Sequence, residues 1–84
     1  MTIPQEDALW RIVGLHLRHW RRKRALTQEE AAGRSKLGVK RWQEYEAGRL
    51  NFTLTTLGRM AGALRVPPHE LLRIPGAKRR PQSP

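Results

Sequence analysis

The chain has 84 residues, of which 17 are Lys or Arg and 7 are Asp or Glu, so its formal net charge is +10 with neutral histidines. That length supports one small domain with a thin core, since such chains bury only about 60% of the surface exposed on unfolding. It excludes a multidomain enzyme, a barrel or a doubly wound sheet, and the lack of cysteine excludes disulfide frameworks and thiolate metal sites.

Glycine and proline divide the sequence into short segments whose apolar spacing is helical. Leu9, Ile12, Val13, Leu17 and Trp20 follow i, i+3, i+4 steps and predict an amphipathic helix over Gln5 to Arg24. Pro4 suits a first turn that needs no N–H donor, and Glu6 and Asp7 suit the positive end of the helix dipole. Arg21, Arg22, Lys23 and Arg24 suit the opposite end, and Trp20 among them reads as core. Thr27, followed three residues later by Glu30, is a capping box that opens a second helix, which fades by Gly33–Ser35. A third helix is predicted from Val39 to Ala47, closed by a left-handed Gly48. Trp42 and Tyr45 form its apolar side, with Val39 one turn earlier. Thr53 with Thr56 opens a fourth, in which Leu54, Leu57, Met60, Ala61 and Leu64 make one face. Pro67 to Leu72 predicts a very short fifth helix. Residues 5–73 therefore read as one all-α domain, a compact bundle of five short helices. Residues 74–84, rich in proline and carrying Lys78-Arg79-Arg80, read as a disordered basic tail.

The second and third helices are separated only by Ser35-Lys36-Leu37-Gly38, a spacing that predicts a helix-turn-helix whose second helix can enter a DNA major groove. Lys40, Arg41 and Glu44 project away from the Trp42/Tyr45 side of that helix, with Gln43 on the flank. Those residue types suit base edges: Arg or Lys donates to guanine, Gln pairs with adenine, and Glu accepts from cytosine. Lys40 and Glu44 also have the spacing of a simple solvent ion pair. Arg18 and Arg22 share a face of the first helix and suit backbone phosphate.

From Val13 to Leu72 the sequence resembles the phage-repressor and Cro type of helix-turn-helix, the XRE family of transcriptional regulators. The landmarks are Gly14, Leu17, Trp20 and Arg21, then Leu26 to Ala32, Trp42, Tyr45-Glu46-Ala47-Gly48, Leu54, Leu57, Ala61, Ala63 to Val66, and Glu70-Leu71-Leu72. The resemblance implies a lambda-repressor-like domain that binds operator DNA, usually as a homodimer on two half-sites. It places Thr27 and Gln28 at the start of the second helix, facing phosphate, and Gly38, Val39, Lys40 and Glu44 at the DNA, with Arg41 and Gln43 beside them. Arg49 and Asn51 fall in a loop that approaches phosphate, and Arg21 and Glu46 match a structural salt bridge. Three residues depart from the pattern, and a fourth, Glu44, is unusual on a DNA-facing helix because it repels phosphate unless it meets cytosine N4. Lys36 stands where the family usually has a turn glycine, so the turn is expected to be rebuilt around Gly38. Gly38 replaces a frequent Ser or Thr cap, and Phe52 a frequent proline.

Other readings carry less. His16 and His19 are spaced i, i+3 but lack a third ligand, and read as surface residues with no metal and no cofactor. Ser35, Ser83 and Asp7 form no nucleophile–base set, so no enzyme is expected. Trp10 suits a cover for the core or a subunit contact. The longest uncharged stretch, Leu50–Gly58, contains Asn51 and three threonines, too polar for a membrane span. Without an apolar segment after Met1 no secretory signal is read, and a cytoplasmic, nucleoid-associated protein is expected. The leading expectation is sequence-specific binding of double-stranded DNA by a prokaryotic or phage regulator. The alternative is an antitoxin-like partner of a toxin, or another protein-interaction module, which Lys36, Gly38 and Glu44 favour. A membrane-surface binder ranks last, because the apolar faces are needed for the core.

Overall fold

The computed structural model describes residues 5–74, which form five helices with no strand among them. The readings made on Pro4 and on residues 75–84 lie outside the described residues. Helix α1 spans Glu6–Lys23, α2 Gln28–Arg34, α3 Val39–Glu46, α4 Leu54–Leu64 and α5 Pro68–Leu71. Gln5, Arg24, Ala47, Pro67 and Leu72, read as helical from the sequence, are instead caps.

The starts of α2 and α4 follow their side chains. Thr27 Oγ1 accepts from the Glu30 N–H at 3.0 Å while the Thr27 N–H donates to Glu30 Oε1 at 2.8 Å, the two halves of a capping box. Thr53 Oγ1 accepts from the Thr56 N–H at 3.1 Å. Gly38 offers α3 no such bond.

The helix ends share one device. After each of α1 to α4 the chain passes through one residue at positive φ: Ala25 (56°), Lys36 (59°), Gly48 (72°) and Arg65 (57°). That residue and the next donate their N–H groups back to the last turn, as Lys36 does to Gly33 O at 3.2 Å and Leu37 to Ala32 O at 2.9 Å. Leu26, Leu37 and Val66, the residues that follow three of these positions, pack on the core. Such a contact opposes the roughly 1–2 kcal/mol that left-handed backbone costs a residue with a side chain. The turn before α3 is therefore not rebuilt around Gly38, which is extended at φ −70°. Lys36 itself takes the left-handed conformation, because burial of Leu37 fixes where the chain must go.

Trp42, Leu17, Met60, Leu64 and Leu71 are fully buried at the centre, where α1 packs on α3, α4 and α5, and α2 on α3 and α4. Two positions expected to be apolar packing sites are not. Leu54 is 81% exposed because it is the first residue of α4, ahead of the point where that helix meets its neighbours. Val39, on the first turn of α3, is 37% exposed for the same reason. Gly14 lets α1 cross the end of α3: a Cβ there would overlap the carbonyl oxygens of Glu46 and Tyr45. Ser35 is buried with its hydroxyl donating to Ala31 O at 2.9 Å and Ala32 O at 3.0 Å, a structural role.

Candidate nucleic-acid interface

Helix α3 turns Trp42 and Tyr45 into the core and leaves Lys40, Arg41 and Gln43 exposed, with Val39 exposed and Glu44 half-buried. Lys40 and Glu44 form no ion pair among the described residues. The Arg41 guanidinium lies along its own helix, its Nε donating to the Tyr45 hydroxyl at 3.4 Å and its Cζ 6.0 Å from that ring's centroid. Half of Tyr45's role is thus at the surface, steering a cation that would otherwise be free to rotate.

The C-terminal end of α3 is fixed by Glu46. Its side chain is 6% exposed, and Arg21, 13% exposed, donates to it from Nε at 2.5 Å and from a second nitrogen at 3.2 Å. The Trp42 indole N–H also donates to it, and Gln28 Nε2 does so at 3.3 Å. Burial alone would push the Glu46 carboxyl's pKa up. The bonds from Arg21, Trp42 and Gln28, with the Arg21 charge, outweigh that and hold it below the ordinary carboxylate value. The expected Arg21–Glu46 salt bridge is therefore present, joining α1 to α3.

Gln28 extends this cluster to the surface. As the first residue of α2 its backbone N–H has no intrahelical acceptor. Its side chain carries two bonds at once, donating to Glu46 and accepting from Gln43 Nε2 at 3.1 Å. Arg18, Arg21, Gln28, Gln43, Glu46 and Ala47 line one open groove of about 400 Å³ between α1, α2 and α3. Of the phosphate candidates, the structure thus brings Arg18 and Gln28 together with Gln43. Thr27, beside Gln28, spends its hydroxyl oxygen on the cap and keeps its O–H proton. Arg22 lies apart, with Leu15, Arg18 and His19 along the outer face of α1. Gly38, Arg49 and Asn51 are exposed before and after α3.

The cationic run at the end of α1 has more partners than its own dipole. Arg24 Nε donates to Leu64 O at 2.8 Å and a terminal nitrogen to Arg65 O at 3.2 Å, so this residue caps α4. Trp20, half-buried against the core, is flanked by Lys23 Nζ at 5.8 Å and Arg24 Cζ at 5.2 Å from its centroid. His16, half-buried as a residue, is not a free surface side chain: its Nε2 makes a 2.7 Å hydrogen bond with Arg73 O. Sequence reasoning missed the Trp42–Glu46 and Gln28–Gln43 bonds. The first had a visible signal in its i, i+4 spacing; the second crosses from one helix to another.

Among the described residues no helix is long and apolar enough to cross a membrane, and no group of three or more His, Asp or Glu could hold a metal. A family described as "Helix-turn-helix domain" matches residues 12–74. No curated protein matches the chain. Among solved structures, the restriction-modification controller protein C.AhdI from Aeromonas hydrophila is 33% identical, with a TM-score of 0.73 over 76% of this chain and 97% of that one. The hypothetical transcription factor NHTF from Neisseria is 29% identical, with a TM-score of 0.78 over 89% and 86% of the two chains. The clp gene regulator ClgR from C. glutamicum is 26% identical, with a TM-score of 0.74 over 83% and 87%.

Proposed function

This chain belongs to the helix-turn-helix domain family of the XRE type, and on that premise we propose that it is a transcriptional regulator that binds double-stranded DNA sequence-specifically. The observation that carries the reading is the outward face of α3, where Val39, Lys40, Arg41 and Gln43 are exposed while Trp42 and Tyr45 are buried. A major groove about 12 Å wide admits such a helix with its side chains. Lys40, Arg41, Gln43 and Glu44 read base edges, with Val39 in apolar contact. Arg18, Arg22, Thr27, Gln28, Gly38, Arg49 and Asn51 face phosphate and set the register. The relatives named as a controller protein, a transcription factor and a gene regulator support a regulator over an enzyme. Two copies of the chain occupy two half-sites. One argument for an antitoxin-like role falls away, since Lys36 takes the left-handed conformation that a turn glycine would take.

The test is binding to random and selected duplexes across a salt series, for wild type and for Lys40→Ala with Arg41→Ala. Base readout predicts a loss on the selected site of about 1–3 kcal/mol per lost contact, well beyond the loss on random DNA. Equal weakening on every duplex leaves only backbone attraction and removes the readout claim. Analytical ultracentrifugation with and without duplex tests the two-copy assembly.

A further inference from the structure

The cluster around Glu46 does more than hold α1 to α3. An ionised carboxylate only accepts hydrogen bonds, so the end of the Gln28 amide that faces Glu46 must be its NH2 group. That choice turns Gln28 Oε1 the other way, toward α3, where it accepts from Gln43 Nε2 at 3.1 Å. The Gln43 amide is oriented in turn: one of its two N–H groups is spent on Gln28, and its carbonyl oxygen has no hydrogen-bond partner among the described residues. Oxygen and nitrogen ends of an amide are distinguished by their network, and here a single buried charge determines both amides. Arg21 and Trp42 keep that charge in place, since both donate to the same carboxylate.

We infer that Gln28 is a positioning residue for base readout: through it, Glu46 fixes the polarity of the Gln43 amide so that Gln43 meets the DNA as a hydrogen-bond acceptor. The inference rests on the DNA-readout reading above and sharpens its specificity. An acceptor held at that place favours a base with an exocyclic amino group in the major groove, adenine N6 or cytosine N4, whereas guanine O6 and thymine O4 are left with only the one Gln43 N–H that Gln28 does not take. Gln28 thus has a share in sequence choice although it touches no base. Glutamine at 43 without glutamine at 28 is a different reader, because its amide is free to flip and to present either end.

Two readouts test this on the full chain. In the free protein, hydrogen exchange of the 15N-labelled side-chain amides is measured by NMR. The Gln43 NH2 exchanges several-fold more slowly than that of exposed Asn51, and Gln28→Ala abolishes the difference. A Gln43 amide that exchanges like Asn51 in wild type, or that ignores Gln28→Ala, overturns the inference. On DNA, affinities are compared for all four bases at the pair where Gln43→Ala alters preference. Wild type favours adenine or cytosine over guanine or thymine by about tenfold, Gln28→Ala reduces this to about twofold at that pair only, and Gln28→Ala combined with Gln43→Ala shows no less preference there than Gln43→Ala alone. A preference for guanine or thymine, or a Gln28→Ala variant that weakens all duplexes alike with the preference intact, overturns it. Wild type with no preference on any duplex overturns it as well, and that outcome is set apart because the DNA-readout reading fails first. A melting temperature for Gln28→Ala near that of wild type keeps a folding defect out of the comparison.

Discussion

At its C-terminal end α3 gives Glu46 to donors from Arg21, Trp42 and Gln28, and the chain leaves through Gly48, against the backbone of Arg11. At its N-terminal end Gly38 offers no capping side chain, Val39 is 37% exposed, and Lys40 and Arg41 are exposed, Arg41 lying back along the helix toward Tyr45. The two turns differ in the same sense. Lys36 and Gly48 both adopt positive φ, but only at Gly48 would a Cβ strike a neighbour's backbone, 2.8 Å from Arg11 Cα. A helix held at one end and open at the other can vary its exposed residues with little penalty to the fold. Side chains near Lys40 and Arg41 are then available to the partner, while Glu46 and Gly48 belong to the domain.

The sharpest way to break this contrast is at Glu46. Removing one partner of a shielded pair costs about 3–5 kcal/mol, so Glu46→Ala is expected to lower unfolding stability by that amount in urea titrations. Lys40→Ala, at the open end, is expected to change it by less than about 0.5 kcal/mol. The pair also predicts a pH dependence. The Glu46 carboxyl titrates lower in the folded chain than in the unfolded one, so its contribution is complete above the unfolded value of about 4.3 and is lost as pH falls through the folded value. The advantage of wild type over Glu46→Gln is therefore constant above about pH 5 and shrinks on acidification. An advantage that grows on acidification would reverse the assignment.

Gly48→Ala is next in size. It adds the roughly 1–2 kcal/mol of left-handed backbone to about 1–3 kcal/mol for a contact that only a backbone shift can relieve, a total of about 2–5 kcal/mol. The corresponding change at the open end runs the other way. Lys36→Gly removes the left-handed penalty but adds the entropy of an unfolded glycine, leaving a gain of about 0.5–1 kcal/mol. That is a rise of a few degrees in Tm for a domain of this size. If Lys36→Gly destabilised the fold, the lysine side chain would have a role that its exposure does not reveal.

How much of this the sequence disclosed follows the range of each interaction. Thr27 with Glu30 and Thr53 with Thr56 act within one turn, so their caps were readable as letters at fixed spacing. Arg21 with Glu46 came through resemblance, not through any local pattern. The left-handed positions at Ala25 and Arg65 escaped, and that at Lys36 was set aside in favour of Gly38, because none is glycine; the choice is imposed by Leu26, Leu37 and Val66 reaching the core. Arg24, read as a dipole partner of α1, caps α4 from 40 residues away in sequence. Leu54 and Val39 were misplaced for another reason: periodicity marks the face of a helix but not how far along it the neighbours extend. At the site, the exposed residues of α3 were legible, whereas the Gln28–Gln43 bond joins two uncharged side chains across a helix crossing.

The smallest predicted effect is at Gly38, the first residue of the open end. Its φ is −70°, and a Cβ there would meet nothing within 4 Å, so a larger residue fits without strain. Serine supplies the hydroxyl that α3 lacks as a cap, and replacing glycine by serine at such a site is worth a few tenths of a kcal/mol. Gly38→Ser is therefore expected to raise Tm slightly. Its second consequence is on DNA, where a hydroxyl at the start of α3 can donate to phosphate. Phosphate contacts carry no sequence information, so affinity should rise by the same factor on selected and random duplexes. A gain confined to the selected site would instead move Gly38 from the proposed phosphate contacts to the proposed base contacts, and with it the boundary between the positioning and reading parts of α3.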